Sequence, residues 1–285
     1  MSEGGKTALP MGAGGRTMPC TQANGIRINY EVGGSGQRLV FISGTGGDLR
    51  NRPNAFDGPL VAEFEVLSYD QRGLGQTDKP AVECSMADYA DDAAALLDVL
   101  DWGTGPVMGV SFGGMVAQEL ALRYPEKVTA VVLACTSAGG EGGASYPLQD
   151  LADLDPEARL ARHLALSDVR RTPQWQAANP ERWLQLAEIA RRAQRSDRDQ
   201  GGAARQLQAR AGHDTWDRLA QLEMPVLLAG GEYDGIAAPA NMAAMHTRIA
   251  GSELTMFAGG HLFLVQDKSA YPYIIQWLKR RTKKN

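Results

Sequence analysis

The sequence predicts an α/β protein, a mostly parallel β-sheet with helices on both faces. Three observations predict it. Short apolar runs recur along the chain, each bounded by Gly, Pro or polar residues, as strands buried on both faces do. Helix-length amphipathic stretches lie between them. The alternation breaks once, over 141–217, where helical patterns follow one another with no strand candidate, so a helical insertion is expected there.

From residue 25, alternating Ile26, Ile28 and Tyr30 and then the run Leu39 to Ile42 predict a hairpin joined by Gly33 to Gly36. Further strands are expected at FEVLSYD (64–70), PVMGVS (106–111), VTAVVLAC (128–135), PVLLAGG (225–231) and ELTMFAGG (253–260). Ser85 is placed to cap the helix in SMADYADDAAALLDVLDW, and the helix containing MVAQELALRYPEKV should stop before Pro125. In the insertion, DPEARLARHLALSD, PERWLQLAEIARRAQRSDRDQ and AARQLQARAGHDTWDRLAQL read as helices, their Arg, Asp and Gln residues as solvated faces. The organisation expected is a disordered lead-in (1–23), a core in two parts (24–140 and 218–285), and the insertion (141–217) between them.

A formal charge of -4 implies no basic face for nucleic acid or anionic lipid, which leaves a small molecule as the expected partner. Nothing in these residues decides oligomeric state, a homo-oligomer included. Cys20, Cys84 and Cys135 are too few and too scattered for a disulfide framework, and no Cys-x-x-Cys pair is present for zinc. Cys135 reads as a small core residue. The first residues lack an apolar stretch of signal-peptide length and no run of eighteen apolar residues occurs, so a cytoplasmic protein off the membrane is expected.

Candidate chemistry centres on Gly109, Ser111 and Gly113, a G-x-S-x-G pattern at the corner from strand to helix. Close backbone approach at such a corner demands small residues there, and Ser111 Oγ is lifted above the sheet. A serine hydroxyl needs an imidazole to take its proton and a carboxylate to orient that imidazole. His163 and His213 fall in the insertion and His246 in a helix, whereas His261 follows a glycine-marked strand end, on the rim expected for Ser111. Asp234, just beyond a strand and flanked by glycines, is the preferred carboxylate, with Glu232 the alternative. Negative charge building on a substrate oxygen would be met by backbone N–H groups of Phe112 and of Thr45, the latter in the glycine-rich loop FISGTGGD. Such chemistry requires no metal or organic cofactor. GTGGDL and GLGQTD lack the dinucleotide fingerprint, and there is no Gly-Lys-Ser/Thr for a nucleotide.

Together these residues resemble the α/β-hydrolase family over about residues 24–280. The order Ser111, Asp234, His261 is the family's order, DQRGLGQTD (70–78) is similar to its turn after the fourth strand, and SFGGMVAQELALRYPEKV looks like the subgroup of enol-lactonases, small esterases and carbon–carbon hydrolases. The resemblance implies an eight-stranded sheet, with residues 141–217 as a helical cap shaping a substrate pocket and Trp175, Trp183 and Trp216 as candidates to line it. It implies that Asp70 and Arg72 brace the loop near the site. Relatives often carry His-Gly where this chain has Ser43-Gly44, and no aspartate nucleophile stands at position 111, against dehalogenase or epoxide hydrolase chemistry. Hydrolysis of an ester or lactone by Ser111, through an acyl-enzyme, is the expected activity. Carbon–carbon bond hydrolysis by the same three residues is the alternative, and a ligand-binding or non-hydrolytic biosynthetic role on the same fold a further one.

Overall fold

A computed structural model describes residues 18–192 and 200–282. Its strands are β1 (Cys20–Ala23), β2 (Ile26–Gly34), β3 (Gln37–Ile42), β4 (Phe64–Tyr69), β5 (Gly105–Val110), β6 (Val128–Ala134), β7 (Val226–Gly231) and β8 (Glu253–Phe257). They form one eight-stranded sheet in the order β1-β2-β4-β3-β5-β6-β7-β8. From β4 onward the neighbours run parallel, while β1–β2 and β2–β4 are antiparallel.

Two expectations about the start of the sheet are corrected. β2 and β3 do not form a hairpin: β4 is inserted between them, antiparallel to one and parallel to the other. The glycines between β2 and β3 turn the chain across the end of β4, and a Cβ at Gly34 would stand 2.2 Å from the Phe64 carbonyl. The hairpin that does form joins β1 to β2 through Asn24 and Gly25, with φ of 48° and 75°. Positive φ at both central residues is the turn an Asn-Gly pair favours. The expected lead-in therefore ends before Cys20, and its residues 1–17 lie outside the described residues.

Helices α1 (Met86–Val99) and α2 (Phe112–Arg123) pack side by side on one face of the sheet. Ser85 caps α1 as expected, its Oγ accepting from Asp88 N–H while the Asp88 carboxylate accepts from Ser85 N–H. Between β6 and β7 lie α3 (Pro156–Ser167), α4 (Pro173–Ala178), α5 (Pro180–Arg192) and α6 (Gln200–Ala211), with no strand among the described residues there. After β7 come α7 (Pro239–Arg248), α8 (Phe263–Gln266) and α9 (Ala270–Thr282). The core has two halves. One joins α1, α2 and α7 to the sheet through residues such as Phe112, Leu120 and Met242; the other holds Trp277 and Ile274 of α9 against Met108, Val132 and Leu227. Smaller apolar clusters hold α3 to α5 (Leu160, Leu164, Ala187) and Leu151 to Leu166 and Ile236. No helix among the described residues is long and apolar enough to cross a membrane.

Candidate active site

Ser111 sits at the end of β5 with φ 55° and ψ -117°, a conformation few non-glycine residues adopt. The neighbouring glycines make it attainable. A Cβ at Gly109 would lie 2.2 Å from the Gly113 carbonyl, and one at Gly113 would lie 2.1 Å from that of Ile42. Ser111 N–H donates to the Ala134 carbonyl at 2.8 Å, and its own carbonyl accepts from Gly114 N–H at 2.8 Å. The hydroxyl is thus set at the ends of the parallel strands and half open to solvent.

His261 and Asp234 arrive on the loops after β8 and β7, which are adjacent strands. His261 Nε2 lies 2.9 Å from Ser111 Oγ, and Nδ1 lies 2.7 Å from Asp234 Oδ2. A carboxylate can only accept, so Nδ1 carries the proton and Nε2 is left to accept from the serine hydroxyl. The other Asp234 oxygen accepts from the Ile236 and Ala237 N–H groups at 2.7 and 2.9 Å, which holds this buried side chain in one orientation. Glu232, the alternative carboxylate, is exposed. His246 is on α7, where its Nδ1 is 2.8 Å from Ser252 Oγ.

The glycine-rich loop after β3 lies against this group: a Cβ at Gly44 would be 3.4 Å from that of Ser111. Among the described residues neither Thr45 N–H nor Phe112 N–H has an acceptor, so both are free to donate. The Phe112 ring is anchored in the core, edge-on to Tyr89. Two side chains brace the loop. Gln71 Nε2 donates to the Ser43 carbonyl at 2.8 Å, and Gly46 N–H donates to Gln206 Oε1 of α6 at 2.8 Å. Asp70 accepts from Leu49 N–H, Gln76 N–H and Asn29 Nδ2, and Arg72 forms a two-pronged pair with Asp92.

The segment between β6 and β7 touches the same edge of the sheet. His261 N–H donates to the Ser167 carbonyl, Gly235 N–H to that of Leu166, and Val169 N–H to that of Tyr233. Gly202 meets Gly73 so closely that a Cβ would stand 1.8 Å from the Gly73 carbonyl. The expectation that polar residues here are only solvated faces is corrected: Gln206, Arg210, Arg171 and Asp168 are buried. Helical periodicity shows which residues share a face of α6, but not that the face rests on the glycine-rich loop. Trp183 packs with the α3–α5 cluster and Trp216 on the main core, beneath Arg248. Trp175 is half-buried. A cavity of about 200 Å³ beside the first turn of α2 is lined by Met115, Ser145, Gln149, Arg210 and His213, among others.

The grouping with metal-ligand atoms in mutual reach, among the described residues, is Cys135, Asp234 and His261, whose donor atoms lie within 4.8 Å of one another. The last two are committed to the hydrogen bonds above. Burial, and then the charge of Asp234, push the Cys135 thiol well up, so it is held protonated and is a poor metal ligand.

His213 is buried and, among the described residues, neither ring nitrogen has a hydrogen-bond partner. Desolvation pushes its pKa down to about 4, with Arg218 acting the same way against the charges of Glu119 and Asp214. The unfolded chain, near 6.5, therefore binds the proton first. The resulting stabilisation is complete above about pH 6.5 and is lost as pH falls toward 4, about 3 kcal/mol in all. Urea unfolding of the wild type and His213→Asn from pH 7 to 4.5 checks this. The stability gap between the two should shift by most of that amount, and a constant gap would refute it.

A family model for the alpha/beta hydrolase fold matches residues 37–268. The chain is 27% identical over 263 residues to a poly(3-hydroxyalkanoate) depolymerase of Ectopseudomonas oleovorans, spanning 85% of this chain and 84% of that protein. It is 26% identical over 269 residues to 3-oxoadipate enol-lactonase 2 of Acinetobacter baylyi, spanning 91% and 95%. Among solved structures, a meta-cleavage product hydrolase from Pseudomonas fluorescens is similar with a TM-score of 0.73 at 19% identity, over 92% of this chain and 97% of that one. At that identity the likeness speaks to the fold alone.

Proposed function

Because the chain belongs to the α/β-hydrolase fold family, we propose that it is a serine hydrolase cleaving a carboxylic ester or lactone of a small, largely apolar molecule. The observation that carries this reading is the continuous hydrogen-bonded relay from Ser111 Oγ through His261 to Asp234. In the first step Oγ attacks the substrate carbonyl carbon while its proton passes to His261 Nε2. Asp234 orients the ring and stabilises the imidazolium that forms. The N–H groups of Phe112 and Thr45 donate to the oxygen that becomes negative, and are worth most because they are held in place beforehand.

Collapse of the tetrahedral intermediate breaks the acyl C–O bond, and the leaving alkoxide takes the proton from His261. A lactone keeps that alcohol tethered to the acyl group. Water then gives a proton to His261 as its oxygen attacks the acyl-enzyme, and the proton returns to Ser111 when the acid leaves. None of these steps needs a metal or an organic cofactor. Residues 141–217 serve as a cap that shapes the substrate pocket and limits water; its ties to the loops carrying His261 and Asp234 support this role.

The test is a fluorophosphonate probe on the folded protein, with the modified residue located by peptide mass spectrometry, alongside turnover of p-nitrophenyl esters and of a meta-cleavage product. Labelling at Ser111 with ester turnover is expected. Marked preference for the meta-cleavage product would move the assignment to carbon–carbon hydrolysis, and a folded protein that neither labels nor turns over any of them would favour a binding role.

A further inference from the structure

Arg210 is 6% exposed, on the face of α6 that also buries Gln206 one turn earlier. Its guanidinium has no hydrogen bond or ion pair among the described residues, and Nε and Nη2 are buried donors without acceptors. Burying an arginine in this way is costly unless something meets its charge. Desolvation lowers its pKa to about 10, with only the more distant charge of Asp234 opposing, so it is a cation at neutral pH. Nε and Nη2 are also one prong-pair of the guanidinium fork, the geometry that grips both oxygens of a carboxylate.

The surroundings suit an anion bound next to the reacting serine. Arg210 lines the cavity of about 200 Å³ whose wall includes Met115, and Met115 N–H lies 3.3 Å from the Ser111 carbonyl. Among the described residues no carboxylate lines that cavity. Its other polar walls include the hydroxyl of Ser145, the amide of Gln149 and the unpartnered ring of His213. Desolvation, with the nearby charge of Arg210 acting the same way, holds the His163 imidazole below its ordinary pKa. Gln206, one turn before Arg210 on the same face of α6, accepts from Gly46 N–H in the loop that lies against Ser111, so the guanidinium stands on the helix face that meets the catalytic edge.

We propose that Arg210 binds an ionised carboxylate of the substrate, so that the ester or lactone cleaved at Ser111 carries a second, anionic end seated in this cavity. The proposal rests on the hydrolase reading above and narrows it: the acid-bearing end is held by α6 while the scissile carbonyl faces Ser111. A charge-assisted, two-pronged contact in a buried site should favour such a substrate by roughly 10- to 100-fold over a neutral one of matched length.

The experiment compares mono-4-nitrophenyl adipate and suberate with 4-nitrophenyl hexanoate and octanoate, in the wild type, Arg210→Gln and Arg210→Lys. Wild type should favour at least one half-ester in kcat/KM, chiefly through a lower KM. That ratio should fall to near 1 in Arg210→Gln and be intermediate in Arg210→Lys; because each ratio is taken within one protein, loss of folded material cancels. Calorimetric binding of adipate and suberate, which needs no turnover, should weaken at least about tenfold in Arg210→Gln. A wild-type ratio at or below 1 for both lengths, or a preference that Arg210→Gln leaves intact, overturns the proposal. Ser111 labelling and neutral-ester turnover without any Arg210 dependence would leave the hydrolase reading standing and remove the anion site. Arg210-dependent dicarboxylate binding in a folded protein that never labels would do the reverse.

Discussion

Ser111→Ala should lower kcat/KM for a reactive ester by about 10⁴- to 10⁶-fold and abolish fluorophosphonate labelling, because in the proposed mechanism the Oγ that lies within hydrogen-bond reach of His261 is the attacking atom. Stability separates this from unfolding. Alanine keeps a Cβ at φ 55°, so its unfolding free energy should stay near that of the wild type. Ser111→Gly is equally inactive but releases the backbone from a conformation that costs a non-glycine residue about 1–3 kcal/mol. The glycine variant should therefore be the more stable of the two despite the greater freedom of its unfolded chain, and urea denaturation measures the gap. Retention of more than about a hundredth of wild-type activity by the alanine variant would mean that another group attacks the ester.

The second large effect is expected at Arg72 and Asp92. Their two hydrogen bonds of 2.6 Å tie the turn after β4 to α1 with both side chains almost fully buried. Arg72→Met strands the Asp92 carboxylate with Asn24 Nδ2 as its remaining side-chain partner, and Asp92→Leu leaves the guanidinium with only Asp88 at 3.8 Å and the Cys84 sulfur as polar side-chain neighbours. Each should cost about 3–5 kcal/mol in chemical denaturation, and the double variant should cost less than the sum because no lone charge remains buried. Activity should fall as well. Gln71, the residue before Arg72, holds the Ser43 carbonyl, so loosening this turn loosens the loop that carries Thr45. If the two single losses simply add in the double variant, the pair is not the strap described.

Much of this arrangement was legible in the residues because it depends on local geometry. A serine flanked at two residues' distance by glycines implies a corner tight enough to need them, and Gly109 and Gly113 have no room for a Cβ. Asp234 and His261 were identifiable because each follows a strand, and parallel strands deliver their C-terminal ends to one edge. Asn24-Gly25 was an equally local signal for the β1–β2 hairpin, and it outweighs the glycines after β2, which turn the chain without pairing its flanks.

The amino-acid sequence by itself determined the alternation of strands and helices, the strained corner at Ser111 and the chain positions of its partners, since steric demands and hydrophobic periodicity act over a few residues. Only the tertiary structure decided that β4 lies between β2 and β3, that Gln206 holds the loop beside Ser111, and that Arg210 is buried without a partner. The reason is that a polar residue on a helix has the same periodicity whether its face meets water or protein. What it faces is set by the packing of elements far apart in the chain.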